Sequence, residues 1–114
     1  MEMTTSVYNG ILVIAVDENR IDAAVAMRFK EMMKELTGRA SGRVIVDLSA
    51  VSFVDSSGLG AVVGSMKQLG RGRRMDLVGL SASVEKVFRL TRMDSVFRIF
   101  KTLEEATQEP ADAS

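Results

Sequence analysis

The chain of 114 residues contains no cysteine and no histidine. Without cysteine it can build no disulfide, zinc–thiolate site or thiol nucleophile. Without histidine it lacks the commonest general base and a leading metal ligand. Together these absences argue against an ordinary hydrolase or metalloenzyme, and no cofactor is expected. Net charge is missing as well, since 15 basic and 15 acidic residues cancel. Nucleic-acid binders usually carry a net basic surface, so no direct contact with DNA is expected. No apolar run approaches the roughly 20 residues of a membrane span. The opening Met1-Glu2-Met3-Thr4-Thr5-Ser6 is too short and polar for a signal peptide. A soluble, cytoplasmic, monomeric protein is the default expectation.

What is present is a core. Hydrophobic residues make up 46% of the chain, enough for one domain, with little length left for a second. The expected division is an N-terminal segment at 1–6, the domain at 7–107 and a flexible tail at 108–114. Val7-Tyr8 and Ile11 to Val16 read as strands around Asn9-Gly10, a strong hairpin signal because both residues tolerate positive φ. A helix is expected from near Asp22, with Val25, Phe29, Met32, Met33 and Leu36 on one face and Gly38 as a left-handed cap. Such a methionine-rich stripe is more often core than binding groove. Val44 to Leu48 reads as a strand buried on both faces. Val51, Phe53 and Val54 tuck under the following connection.

A second helix is expected from Ser57 to about Leu69, with Leu59, Val62, Val63, Met66 and Leu69 inward. Met75 to Leu80 reads as a strand. Ser81 caps a helix over about 82–90, with Val84, Val87, Phe88 and Thr91 inward. Val96 to Phe100 alternates as a half-covered strand would. Thr102 and Glu105 have capping-box spacing for a short last helix. Strand–helix alternation of this kind makes an α/β fold: a mixed, mostly parallel sheet with an N-terminal hairpin and about four helices.

The stretch that carries function is the junction Asp55-Ser56-Ser57-Gly58-Leu59-Gly60. In open α/β sheets, ligands and partners meet the strand ends where the chain turns into helices. A helix start offers free N–H groups and a partial positive charge. Asp55 and Ser56 can satisfy some of those donors. Gly58 and Gly60 keep the surface low around Ser57, and Gly60 and Gly64 form a shallow strip one turn apart. Local physics alone favours a capped helix with packing glycines. A phosphate cradle is a weaker reading. The glycines miss the G-x-G-x-x-G spacing, and there is neither a Walker lysine nor an acidic residue about 20 positions on. A serine nucleophile is weaker still, because Asp55 stands where a nucleophile elbow has glycine and no histidine can serve as base.

Val44-Ile45-Val46-Asp47-Leu48-Ser49 leading to Phe53-Val54-Asp55-Ser56-Ser57-Gly58-Leu59-Gly60 resembles the signature of STAS-domain anti-sigma factor antagonists. The likeness extends to Ile21-Asp22-Ala23-Ala24 and to Leu80 through Phe88, then Thr91 to Phe100, covering about residues 7–106. It implies a partner switch rather than an enzyme. In that family the unphosphorylated antagonist binds an anti-sigma factor that is also a serine kinase, and so frees a sigma factor. The kinase phosphorylates the serine before Gly-Leu-Gly, here Ser57 (Ser56 less so), and a PP2C-type phosphatase dependent on Mn²⁺ or Mg²⁺ resets it. The partner surface implied is Asp22, Asp55, Ser56, Ser57, Gly58, Leu59 and Gly60, with Arg20 and Lys67 as weaker candidates. The rival within the fold is a scaffold or a transporter-associated subunit. The rival outside it is a nucleotide-binding protein. The sequence departs from the family pattern at 17–21, which lacks the usual Gly-Glu/Gln-Leu-Asp form, and at Arg92, where glycine is usual.

Overall fold

The computed structural model describes residues 1–108; the rest of the tail expected at 108–114 lies outside the described residues. Strand β1 (Met3–Tyr8) pairs antiparallel with β2 (Ile11–Val16). Asn9 (φ 52°) and Gly10 (φ 80°) make the expected turn. A two-residue strand β3 (Arg20–Ile21) precedes helix α1 (Ala26–Thr37). Then follow β4 (Val44–Asp47), β5 (Phe53–Val54), α2 (Ser56–Gln68), β6 (Met75–Val78) and α3 (Ala82–Leu90). A 3₁₀ turn (Met93–Ser95), β7 (Ile99–Phe100) and α4 (Leu103–Thr107) complete the domain. The main sheet runs β1-β2-β4-β6-β7, antiparallel only at β1, while β3 and β5 pair in parallel as a separate ribbon.

Alternation along the strands sends side chains to two unequal cores. Ile14, Val16, Val44, Val46 and Leu77 meet Phe29 and Met33 of α1, Val62 of α2, and Val84 and Phe88 of α3. Full burial of each such side chain is worth about 1.5–3 kcal/mol. The opposite face holds Ile11, Val13, Ile45 and Val78 under Ala106 of α4. On the sheet's own strands sits a charge that the apolar pattern does not announce. Asp76 is fully buried and accepts from Arg43 Nε at 2.7 Å and Arg74 Nε at 3.0 Å. Breaking the buried Arg43–Asp76 pair by removing one partner would cost about 3–5 kcal/mol. Among the described residues no helix is long and apolar enough to cross a membrane.

Several expectations are corrected. The first strand starts at Met3 rather than Val7, because an edge strand facing solvent needs no apolar alternation and threonine suits extended backbone. Helix α1 begins after Val25, not at Asp22. Asp22 instead closes a preceding turn, its Oδ1 accepting from Ala24 N at 3.1 Å and its carbonyl from Val25 N at 3.1 Å. Gly38 stays right-handed at φ −70°. The nearby Thr37 carbonyl is instead satisfied by Arg73 Nη1 at 3.0 Å. Phe53 is exposed, whereas Val51 and Val54 are buried as expected. Thr91 is exposed too, its hydroxyl donating back to the Val87 carbonyl. The expected strand at 96–100 shrinks to Ile99–Phe100, since Phe97 turns inward to meet Phe88 edge-on. Arg92 takes the left-handed conformation (φ 61°) that glycine would adopt without strain.

Candidate functional site

Helix α2 starts where β5 ends, and one residue organises that start. Asp55 is extended (φ −95°, ψ −176°) and its Oδ1 accepts from Gly58 N at 2.8 Å. Its Oδ2 accepts from Ala23 N at 3.0 Å, so the same carboxylate ties the segment after β3 to the helix. The Gly58 amide is the chief cause that holds the Asp55 carboxyl below its ordinary value. The Ala23 and Ser57 amides and the Arg20 charge act the same way, against partial desolvation. Asp55 alone caps the helix; the share expected of Ser56 is not observed.

Ser56 and Ser57 therefore stand in the first helical turn with their hydroxyls exposed and without a hydrogen bond among the described residues. Their amides lie in the first turn, where the helix offers no carbonyl to pair them, and that of Ser57 turns to the Asp55 carboxylate. Among the described residues neither serine hydroxyl is hydrogen-bonded to a side chain that could act as its base.

The two glycines differ. A Cβ on Gly58 would lie 1.8 Å from the Ile21 carbonyl oxygen, so this glycine admits the chain's own β3. The low rim expected from Gly58 is thus an internal contact. A Cβ on Gly60 would meet nothing within 4 Å. Gly60 is exposed and leaves the surface beside Ser57 open. Leu59 points into the main core.

The structure thus brings Asp22, Asp55, Ser56, Ser57 and Gly60 to one rim and turns Gly58 and Leu59 inward. Lys67 is exposed in the last turn of α2, far down the helix from Ser57. Arg20 stands at the rim, its Cζ 4.6 Å from the centre of the Phe53 ring and its Nε 3.3 Å from Asp22. Phe53, 43% exposed, is a surface feature that sequence reasoning missed. The signal was there: in a strand with Val54 inward, the preceding residue must point out. Met27, 76% exposed on α1, was also missed. Among the described residues no cluster of acidic groups could hold a metal ion.

Comparison with known proteins gives concordant results. The anti-sigma-B factor antagonist of Listeria monocytogenes is 36% identical over 81 residues, 69% of this chain and 70% of its own length. An anti-sigma factor antagonist from Mycobacterium paratuberculosis has the same fold, with a TM-score of 0.84 at 23% identity over 94% of this chain and 91% of that one. Phosphorylated SpoIIAA of Bacillus shares it at a TM-score of 0.67 and 24% identity, covering 94% and 97%. The STAS domain family matches residues 2–106, from the hairpin to the last helix. On that match, and on the sheet and junction that go with it, the chain belongs to the STAS domain family.

Proposed function

We propose that the chain is an anti-sigma factor antagonist switched by phosphorylation of Ser57. Unphosphorylated, it binds an anti-sigma factor with serine kinase activity and so releases a sigma factor. A PP2C-type phosphatase returns it to the binding state. The chain acts as binding partner and substrate, not as catalyst. The observation that carries this reading is the Ser57 hydroxyl, exposed and unbonded at a helix start whose cap is supplied by Asp55. The name of the Listeria relative and the phosphorylated form of SpoIIAA support it.

A phosphate on Ser57 adds a charge of about −1.5 to −2. At a helix start that charge meets backbone amides and a favourable dipole, so the domain tolerates it. The effect falls on the partner, through bulk beside the open Gly60 and through added negative charge next to Asp22 and Asp55. Incubation with the anti-sigma factor and ATP, followed by mass spectrometry, should place one phosphate on Ser57. Ser57→Ala should then bind constitutively and Ser57→Asp weakly. Equal affinity of the two variants, or no phosphate with an active kinase, would overturn the proposal.

A further inference from the structure

Helices α1 and α2 each return from the carboxyl end of the parallel sheet, so they lie side by side in the same direction. Between them runs a groove of about 620 Å³ that opens at Ser57. Its two walls are unlike. On α1, Lys30 and Lys34 lie one turn apart on one face. On α2, the wall near the mouth is made of Ser57, Gly60 and Ala61, which offer little side chain, and Gln68 stands at its far end. Lys30 is held within the groove, because a Cβ on Gly64 would lie 3.0 Å from its Cε and 3.2 Å from its Nζ. Neither lysine forms an ion pair among the described residues. Glu31, also on α1, is the one carboxylate in the lining, so the lining itself carries a charge of +1, with Arg20, Asp22 and Asp55 on the rim beyond it. Exposed Met27 stands at the Ser57 end and adds an apolar contact.

We infer that this groove receives a helix of the anti-sigma partner bearing carboxylates one turn apart. The inference rests on the partner-switch reading above and adds the chemistry of recognition. Small residues on one wall let a helix backbone approach closely, at the 8–10 Å axis separation typical of packed helices. The lysines on the other wall select its charge. The same arrangement makes the switch electrostatic. A phosphate of about −1.5 to −2 at the mouth would turn the groove's +1 into about −0.5 to −1, and an acidic helix would then be repelled from the surface that had drawn it.

The test uses the full chain and the anti-sigma factor of the same organism that transfers phosphate to it. Affinity is measured for wild type, Ser57→Asp, Lys30→Glu/Lys34→Glu and the milder Lys30→Gln/Lys34→Gln, with thermal melts to show that each is folded. The charge reversal should weaken binding by about 30-fold or more and the neutral pair by about 5-fold. Wild-type affinity should fall between about 50 and about 300 mM salt, and the neutral pair should lose most of that dependence. Replacing the partner's facing carboxylates by lysine should restore binding to the reversed variant. If both lysine pairs bind within about twofold of wild type while Ser57→Asp is weakened, the groove inference fails and the switch stands. If Ser57→Asp also binds normally, the underlying reading fails with it. Concentration-dependent self-association abolished by Lys30→Glu/Lys34→Glu would assign the groove to a second copy and overturn the inference.

Discussion

Helices α2 and α3 start at the same end of the sheet and by nearly the same recipe, yet they leave their serines in opposite situations. Each has an extended cap residue and a serine at the second helical position, Ser57 in one and Ser83 in the other. In α3 the cap is Ser81, whose hydroxyl accepts from Val84 N at 3.4 Å and reaches the Val51 carbonyl at 3.3 Å. Ser83 donates to the Ser52 carbonyl at 2.8 Å. Both hydroxyls hold the 51–52 loop against the helix. In α2 a carboxylate does the capping, and the hydroxyls of Ser56 and Ser57 are left to solvent. A serine at a helix start is therefore no mark of function in itself. It becomes available for modification when another residue takes over its structural work.

That contrast can be broken at several points. The largest expected effect is chemical. Treated with the cognate kinase and ATP, the 55–60 peptide should carry the phosphate and the 81–90 peptide none; phosphate on Ser83 at comparable yield would remove the distinction. Next comes the glycine pair. Gly58→Ala should cost about 3 kcal/mol in chemical denaturation, because the new methyl group meets backbone rather than a movable side chain. Gly60→Ala, in open space on a helix, should stabilise by about 0.5–1 kcal/mol.

The caps should differ in their response to acid. Ser81→Ala should lose about 1 kcal/mol at every pH. Asp55→Asn should lose stability near neutral pH but converge on the wild type as the solution is acidified. The folded carboxyl titrates below its ordinary value, so its contribution is complete above that value and vanishes as pH falls through the lowered one. Thermal melts taken from neutral pH downward would show the two curves meeting. The smallest effect concerns the hydroxyls themselves. Ser83→Ala should cost about 1 kcal/mol for its lost hydrogen bond. Ser57→Ala should stay within about 0.5 kcal/mol of wild type.

Much of this fold was legible because its signals are local. Asn9-Gly10 needs only its own φ preferences, Ser81 only the amide three residues on, and Val44 to Asp47 only an unbroken run of β-branched residues. The last helix followed from Thr102 and Glu105, and Glu105 N does donate to Thr102 Oγ1 at 3.1 Å. What escaped depends on chain segments distant in sequence. The β3–β5 ribbon has two residues a side and exists because Arg20 and Ile21 find Phe53 and Val54. Gly58 looked like a surface glycine because nothing near it in sequence reveals the Ile21 carbonyl overhead. At the rim, Ser57 and Asp55 were legible from the motif, while Lys30 and Met27 were not, since only the packing of α1 beside α2 brings them near the serine.

The contact between Gly58 and Ile21 bears on the proposed phosphorylation of Ser57. With β3 pressed onto the first turn of α2 and Asp55 fastening Ala23 to the same turn, Ser57 is carried on a turn held between two separated pieces of chain. Drawing it out into the extended strand that many protein kinases thread through a cleft would break both of these contacts. An enzyme acting on it has to recognise a folded shape, and a short synthetic peptide spanning Ser57 would be a poor substitute for the intact domain.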